Sequence, residues 1–374
     1  MHIGVPKEIK PDEYRIGMTP AGVREAVRHG HSVTVQHNAA ARIGFTDERY
    51  QAVGARIVNT ADEVFATADM VVKVKEPQAS EYPLLRAGQV LFTYLHLAPD
   101  PVQTDALQAS GVTAFAYETI TDDHGGLPLL APMSEIAGRM AIQVGASALE
   151  IEHGGSGVLL GGVPGVLPAR VVILGGGVVG TNAARMAIGL GADVTIVDKS
   201  LRRLAWLDDM FGPRAKTAHA STELVDELVA GAHLVVGAVL VPGAKAPKLV
   251  TRSMLATMAP GSALVDVAID QGGCFETSRA TTHSQPTYIV DGIVHYCVAN
   301  MPGAVPRTST KGLTNVTLPY IELIADHGLD EALRRSAPLR PGVNVMAGKV
   351  VNRPVADSHG LPYTALETLV DGVG

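Results

Sequence analysis

Aromatic residues make up 4% of the chain, and there are two cysteines. Cys274 and Cys297 lack any paired spacing, so they read as reduced thiols of a cytoplasmic protein. A strong excess of positive charge is missing too. Against 37 acidic residues stand 30 basic ones with no basic block, which argues against nucleic acid or anionic membranes as partners. The N-terminus, MHIGVPKEIK, has no charged-then-apolar signal pattern. The most apolar region, 154–180, is rich in glycine and broken by Pro164, Pro168 and Arg170. It falls short of the roughly 20 consecutive apolar residues of a membrane helix. The 13 histidines never fall into HxxxH or HExxH, and GxSxG is absent. No metal site and no serine nucleophile elbow are expected.

What is present is a packed globular composition, 47% hydrophobic with 40 glycines, over 374 residues. That length favours two domains. Short apolar runs alternate with amphipathic segments: HIGVP (2–6), SVTVQ (32–36), ARIV (55–58), MVVKVK (70–75), VLFTYLH (90–96) and VTAFAY (112–117) read as strands. TPAGVREAVRHG reads as a helix with Thr19 as N-cap, Pro20 at the first position and Gly30 as its stop. A long helix over 133–152 makes a bridge, and a second alternation begins at RVVILG (170–175). After about 307 the pattern turns helical. The expected fold is α/β: two Rossmann-like, doubly wound parallel-sheet domains with a cleft between them, bridged by long helices. Residues 1–130 and 307–374 form a discontinuous first domain and 131–306 the second.

VVILGGGVVG carries G-x-G-x-x-G as Gly175, Gly177 and Gly180, at the end of one expected strand and the start of a helix. The three glycines permit a tight turn, close approach of a pyrophosphate and close helix–strand packing. Asp198 ends the next strand, where an acid binds ribose hydroxyls and disfavours a 2′-phosphate. Together these predict a dinucleotide site that favours NAD. Lys199, Arg202 and Arg203 nearby pull weakly towards NADP, or simply form a solvated helix face.

Ligands of open α/β sheets bind beyond the carboxyl ends of the strands. Lys75 ends MVVKVK with Lys73 one pleat earlier, and either could hold a carboxylate or merely snorkel at a sheet edge. His96 ends VLFTYLH, as a proton-transfer group or a histidine bonded to a loop carbonyl. Asp270 follows SALVDVAI, sharing a face with Asp266 and Ala268 by period two. It is a candidate acid or base, or a turn-capping aspartate before Gly272 and Gly273. Arg15, in the loop after the first strand, could grip a carboxylate at two points or lie exposed.

The segments GVPKEIKPDEYRIGMTP, VVKVKEP, YLHLA, MSEIAGRMAIQVGA, GGVPGV, VVILGGGVVG, DVAIDQGGCFETSRATTHSQPTY and HYCVANMPGAVPRTST follow one another over about residues 4–310. In that order they resemble the alanine dehydrogenase family, which shares its architecture with the N-terminal part of transhydrogenase. The resemblance implies NAD-dependent, reversible oxidative deamination of L-alanine to pyruvate and ammonia, by way of an imine and a carbinolamine. It implies a cytoplasmic homohexamer. It implies that Arg15 and Lys75 hold the substrate carboxylate and that His96 and Asp270 are the acid–base pair. Ser134, Val178, Val179, Asp198, Arg203, Val239, Leu240, Val267, Ala268, Ile269, Asp270, Arg279, Val298, Asn300 and Met301 fall at cofactor-contacting positions. Ala220 stands where the family usually has serine, so that hydrogen bond is lost or passes to Ser221. Two alternatives remain: a saccharopine or opine dehydrogenase, and the soluble NAD(H)-binding component of proton-translocating transhydrogenase.

Overall fold

The computed structural model describes residues 1–239 and 246–372. The chain forms two compact units: Met1–Pro132 with Val305–Gly374, and Met133–Ala304.

In the first unit, β1 (His2–Val5), β2 (Ser32–Gln36), β3 (Arg56–Val58), β4 (Met70–Val72), β5 (Val90–Thr93) and β6 (Thr113–Ala116) pair in parallel in the order β3-β2-β1-β4-β5-β6. The order reverses between β1 and β4, the switch point beyond which such sheets bind ligands. β4, β5 and β6 are buried throughout, as strands covered by helices on both faces must be. Val71, Leu91, Ala114 and Val345 pack with Phe65, Leu107 and Val355 into one core cluster. The helix Pro20–Arg28 starts at Thr19, whose hydroxyl accepts the Gly22 N–H at 3.2 Å.

The second unit repeats the pattern. β7 (Arg170–Leu174), β8 (Asp193–Asp198), β9 (Lys216–His219), β10 (Leu234–Gly237), β11 (Ala263–Asp266) and β13 (Ile293–Tyr296) are parallel, in the order β9-β8-β7-β10-β11-β13. The reversal here lies between β7 and β10.

The sheets are not wholly parallel. β12 (Thr287–Val290) runs antiparallel to β13, joined by Asp291 and Gly292 at φ 49° and 79°. That Asp-Gly hairpin signal lies in the sequence but gives no strand in the periodic reading. β14 (Val343–Met346) runs antiparallel beside β6 and β15 (Lys349–Val350) antiparallel beside β14, so the segment after 307 is not helical throughout. The long helix spans Ala131–Ala148 and gives way to a 3-10 turn, Ile151–His153, short of the expected end at 152. Several strands are shorter than expected; three of those differences reposition candidate residues.

Candidate active site

β7 delivers the chain into the glycine turn. Gly175 has φ 104°, and a Cβ there would meet the Ala238 carbonyl oxygen at 2.7 Å. Gly177 is the N-cap of the helix Val178–Gly189, no described side chain caps that helix, and a Cβ on Gly177 would meet nothing within 4 Å. The first-turn N–H groups are therefore left to an anion, with room for it. A Cβ on Gly180 would collide with the Gly175 carbonyl, so helix and turn can close only on glycine. Val178, at the first helical position, is 43% exposed, and Val179 is half-buried.

Asp198 ends β8 and ties the turn together. Its Oδ2 accepts the Gly176 N–H at 2.7 Å and its Oδ1 the Ser200 N–H at 2.8 Å. Arg203 donates from Nε to the Gly176 carbonyl at 2.5 Å and from Nη2 to Thr181 Oγ1 at 2.7 Å, and lies over the Trp206 ring at 4.0 Å. Burial draws this guanidinium below its ordinary value, with Asp198 pulling the other way. Arg203 is thus committed to the turn rather than to a free helix face. Beside Ala220, Ser221 accepts the Leu224 N–H at 3.2 Å as an N-cap, which leaves its hydroxyl proton to donate elsewhere. The glycine turn, the uncapped helix start and the strand-end carboxylate fit a dinucleotide.

In the same unit Ser134 is half-buried on the helix Ala131–Ala148. Val239 is half-buried, and Leu240 lies outside the described residues. Arg279 is exposed with its guanidinium 4.0 Å over the Tyr288 ring; its N–H donates to the Tyr288 hydroxyl at 2.9 Å, which donates to the Thr277 carbonyl at 2.9 Å. Val298 and Met301 are buried, and Asn300 is held at φ 61°.

Asp270 departs from the strand reading. β11 stops at Asp266, and residues Val267–Gln271 wind into a 3-10 turn, so Asp266, Ala268 and Asp270 do not alternate along one strand. Asp266 causes this. Its Oδ1 accepts the Ala268 N–H at 3.1 Å, and its Oδ2 accepts the Cys274 N–H at 2.9 Å, the Phe275 N–H at 3.3 Å and the Ser278 hydroxyl at 2.5 Å. Burial pushes this carboxyl above its usual range, opposed by those hydrogen bonds. Val267 is half-buried and Ala268 and Ile269 are buried, while Asp270 faces solvent.

In the first unit the cations also leave their expected strand. β4 ends at Val72, so Lys75 lies three residues past it rather than at its last position. Lys73 is fully buried, its ammonium 3.1 Å from Glu8 and 2.9 Å from Glu81. Burial opposes the Lys73 charge, but the two carboxylates override it and hold the ammonium above its ordinary value. Lys75 is half-buried, and among the described residues no carboxylate lies within 4.0 Å of its ammonium. Burial, then the nearby Arg15 charge, lowers Lys75 from its ordinary value. Arg15 is 2% exposed, which overturns a surface location. Its Nε donates to Glu13 Oε1 at 2.7 Å and its Nη2 to Oε2 at 2.5 Å. Burial works against that charge, but the Glu13 hydrogen bonds and charge raise it above its ordinary value.

β5 ends at Thr93, so His96 too lies beyond the strand, at φ 52°. That is an uncommon conformation for a non-glycine residue. Glu118 holds it: one carboxylate oxygen accepts the His96 N–H at 2.6 Å, and the Leu95 N–H lies 3.3 Å from both oxygens. The same Oε1 is 3.7 Å from the imidazole Nδ1, and the ring stacks on Tyr94 at 5.9 Å between centroids. The sequence reading names Asp266 but not Glu8, Glu13, Glu81 or Glu118, whose partners only the fold reveals.

Residues 4–137 match the family described as Alanine dehydrogenase/PNT, N-terminal domain, and residues 141–353 match Alanine dehydrogenase/PNT, C-terminal domain. Alanine dehydrogenase of Halomonas elongata is 57% identical over 370 residues, covering 99% of this chain and 100% of the relative. A solved L-alanine dehydrogenase superposes with a TM-score of 0.94 at 51% identity, covering 96% of this chain and 99% of the other. A solved transhydrogenase from Sinorhizobium meliloti gives 0.83 at 25% identity, covering 94% and 100%. With both domain profiles matched in order and a relative this similar along its whole length, the chain belongs to the alanine dehydrogenase/PNT family.

Proposed function

We propose that this chain catalyses the NAD-dependent, reversible oxidative deamination of L-alanine to pyruvate and ammonia. The observation that carries the reading is the half-buried Lys75 ammonium, near the Arg15 charge and without a carboxylate of its own. Such a pair is built for the carboxylate of a small acid. Bound NAD supplies the acceptor for the hydride that leaves the alanine Cα. Lys75 and Arg15 grip the carboxylate and fix Cα, which lowers the entropic barrier. His96 hydrogen-bonds the oxygen that becomes the pyruvate carbonyl. Asp270 moves protons to and from water and amine as the imine is hydrated and the carbinolamine collapses. The glycine turn and the helix start at Val178 hold the pyrophosphate, and Asp198 the ribose hydroxyls. Ser134, Val239, Leu240, Arg279, Val298, Asn300 and Met301 contact the dinucleotide in this reading. In this reading the enzyme works in the cytoplasm as a homohexamer, and sedimentation tests the hexamer.

NADH formation on adding L-alanine, with D-alanine, glycine and L-serine as comparators, tests the activity. Selective oxidation of L-alanine supports it. The likeness to transhydrogenase keeps a second reading in view, a soluble NAD(H)-binding component. A protein that binds NADH but neither oxidises L-alanine nor reduces pyruvate or any other oxo acid with ammonia would reverse the choice in favour of that second reading.

The lowered Lys75 value predicts a pH dependence. Carboxylate binding needs the ammonium, which is present below the Lys75 pKa and lost as pH rises through it. The inhibition constant of oxamate against L-alanine therefore weakens with alkali sooner than an ordinary lysine would allow. Lys75→Arg, whose guanidinium does not deprotonate in proteins, holds affinity to higher pH. An identical alkaline limb in both proteins assigns that limb to another group.

A further inference from the structure

We propose that Glu8, clamped by Lys73, is the positioning residue for Lys75. The inference rests on the proposed function and names what holds its carboxylate-binding lysine in place. Past Val72 the chain leaves regular strand pairing: the Val74 carbonyl still accepts the Tyr94 N–H at 3.3 Å, but the N–H groups of Val74 and Lys75 turn to a side chain instead of a neighbouring strand. The Glu8 carboxylate takes over. Its Oε1 accepts the Val74 N–H at 2.6 Å and the Lys75 N–H at 3.4 Å. Its Oε2 takes the Lys73 ammonium at 3.1 Å. Glu81 Oε1 takes the same ammonium at 2.9 Å, while its Oε2 accepts the Gln78 N–H at 2.8 Å and closes the loop beyond Lys75. From the far side, the Thr93 hydroxyl donates to the Lys75 carbonyl at 2.9 Å and the Tyr117 hydroxyl to the Lys73 carbonyl at 3.0 Å.

Glu8, Lys73 and Glu81 are 6%, 0% and 2% exposed. Buried ion clusters are seldom more stable than apolar packing of the same volume, so stability is a poor reason for this one. A geometric reason is at hand. Two lysines sit two residues apart in one apolar segment, and the cluster gives them opposite fates. Lys73 is paired twice and drawn inside, and its pairing sets the carboxylate that grips the backbone of Lys75. Lys75 keeps an ammonium with no described carboxylate partner.

The test compares Glu8→Ala, Glu8→Gln, Glu8→Asp and Glu81→Gln by steady-state kinetics, thermal melting and NADH fluorescence titration. Glu8→Ala raises KM for L-alanine and for pyruvate about 10- to 100-fold, the scale of a small misplacement of a binding group. Its kcat falls less, and NADH affinity, carried by the other unit, is unchanged. Glu8→Gln keeps an oxygen for the two N–H groups and restores most of the loss. Glu8→Asp keeps the charge but withdraws the acceptor, and raises KM in the same direction; it carries the test if Glu8→Ala fails to fold. Glu81→Gln weakens the same ion cluster without touching either amide. It lowers Tm and moves KM by less than about two-fold. An unmoved KM in Glu8→Asp, or a Glu81→Gln variant as impaired as Glu8→Asp, overturns the inference while the functional reading stands. A wild-type protein with no activity on L-alanine overturns both.

Discussion

Asp270→Asn lowers turnover of L-alanine by about 10²- to 10⁴-fold, the range a positioned general acid–base group contributes. The substitution is nearly isosteric, and Asp270 is exposed, so the fold has little reason to respond. The turn that carries it is held by Asp266, which caps Ala268 and anchors Cys274, Phe275 and Ser278. Tm and NADH affinity should therefore match wild type while kcat collapses. Asp266→Asn separates the two carboxylates. It disturbs a buried network, so it loses stability and turnover together. Steady-state kinetics beside thermal melting reads both variants. Near-normal turnover in Asp270→Asn removes that residue from the chemistry.

Arg15→Met and Lys75→Met both cut kcat/KM for L-alanine, by about 10²-fold if each supplies one of two contacts to the carboxylate. Their effects on stability diverge. Removing the Arg15 guanidinium takes two side-chain hydrogen bonds and the paired charge from the buried Glu13 carboxylate, and breaking a buried pair on one side costs about 3–5 kcal/mol. Removing the Lys75 ammonium orphans no described carboxylate and relieves a charge already disfavoured by burial. Thermal melting should show a large loss for Arg15→Met and none, or a gain, for Lys75→Met. Equal destabilisation by the two would mean that Lys75 pays for the fold as Arg15 does. If Lys73→Met rather than Lys75→Met abolishes carboxylate binding with the fold intact, the assignment of the two lysines is reversed.

The glycine turn was legible in the sequence because its chemistry is local. Gly175 needs a positive φ, Gly180 a missing Cβ, and Asp198 a strand end, and all three lie within one short unit. The alternation of strands and helices gave the doubly wound sheets for the same reason. The candidate residues beyond strand ends were placed less well. Period two carries Lys75, His96 and Asp270 along straight strands, but each lies past a strand that ended early. The endings are set by carboxylates distant in sequence: Glu8 for Lys75, and Glu118 for the left-handed His96. Asp266 is four residues from Asp270, yet its partners at 274–278 lie well beyond. Such partnerships leave no periodic trace. Nor does β14 signal its place, since it pairs with β6 from more than two hundred residues away.

That last pairing has a consequence during synthesis. β6 is complete at Ala116, but the strand that covers its free edge begins at Val343. At roughly 5–20 residues per second, a ribosome takes on the order of ten seconds or more to make the intervening chain. All of Met133–Ala304 is made in that interval, while β6 keeps one edge uncovered. Until Val343 has been made, β6 can pair with β5 on one side only, so its other edge is the place in the first sheet open to a wrong strand partner during synthesis.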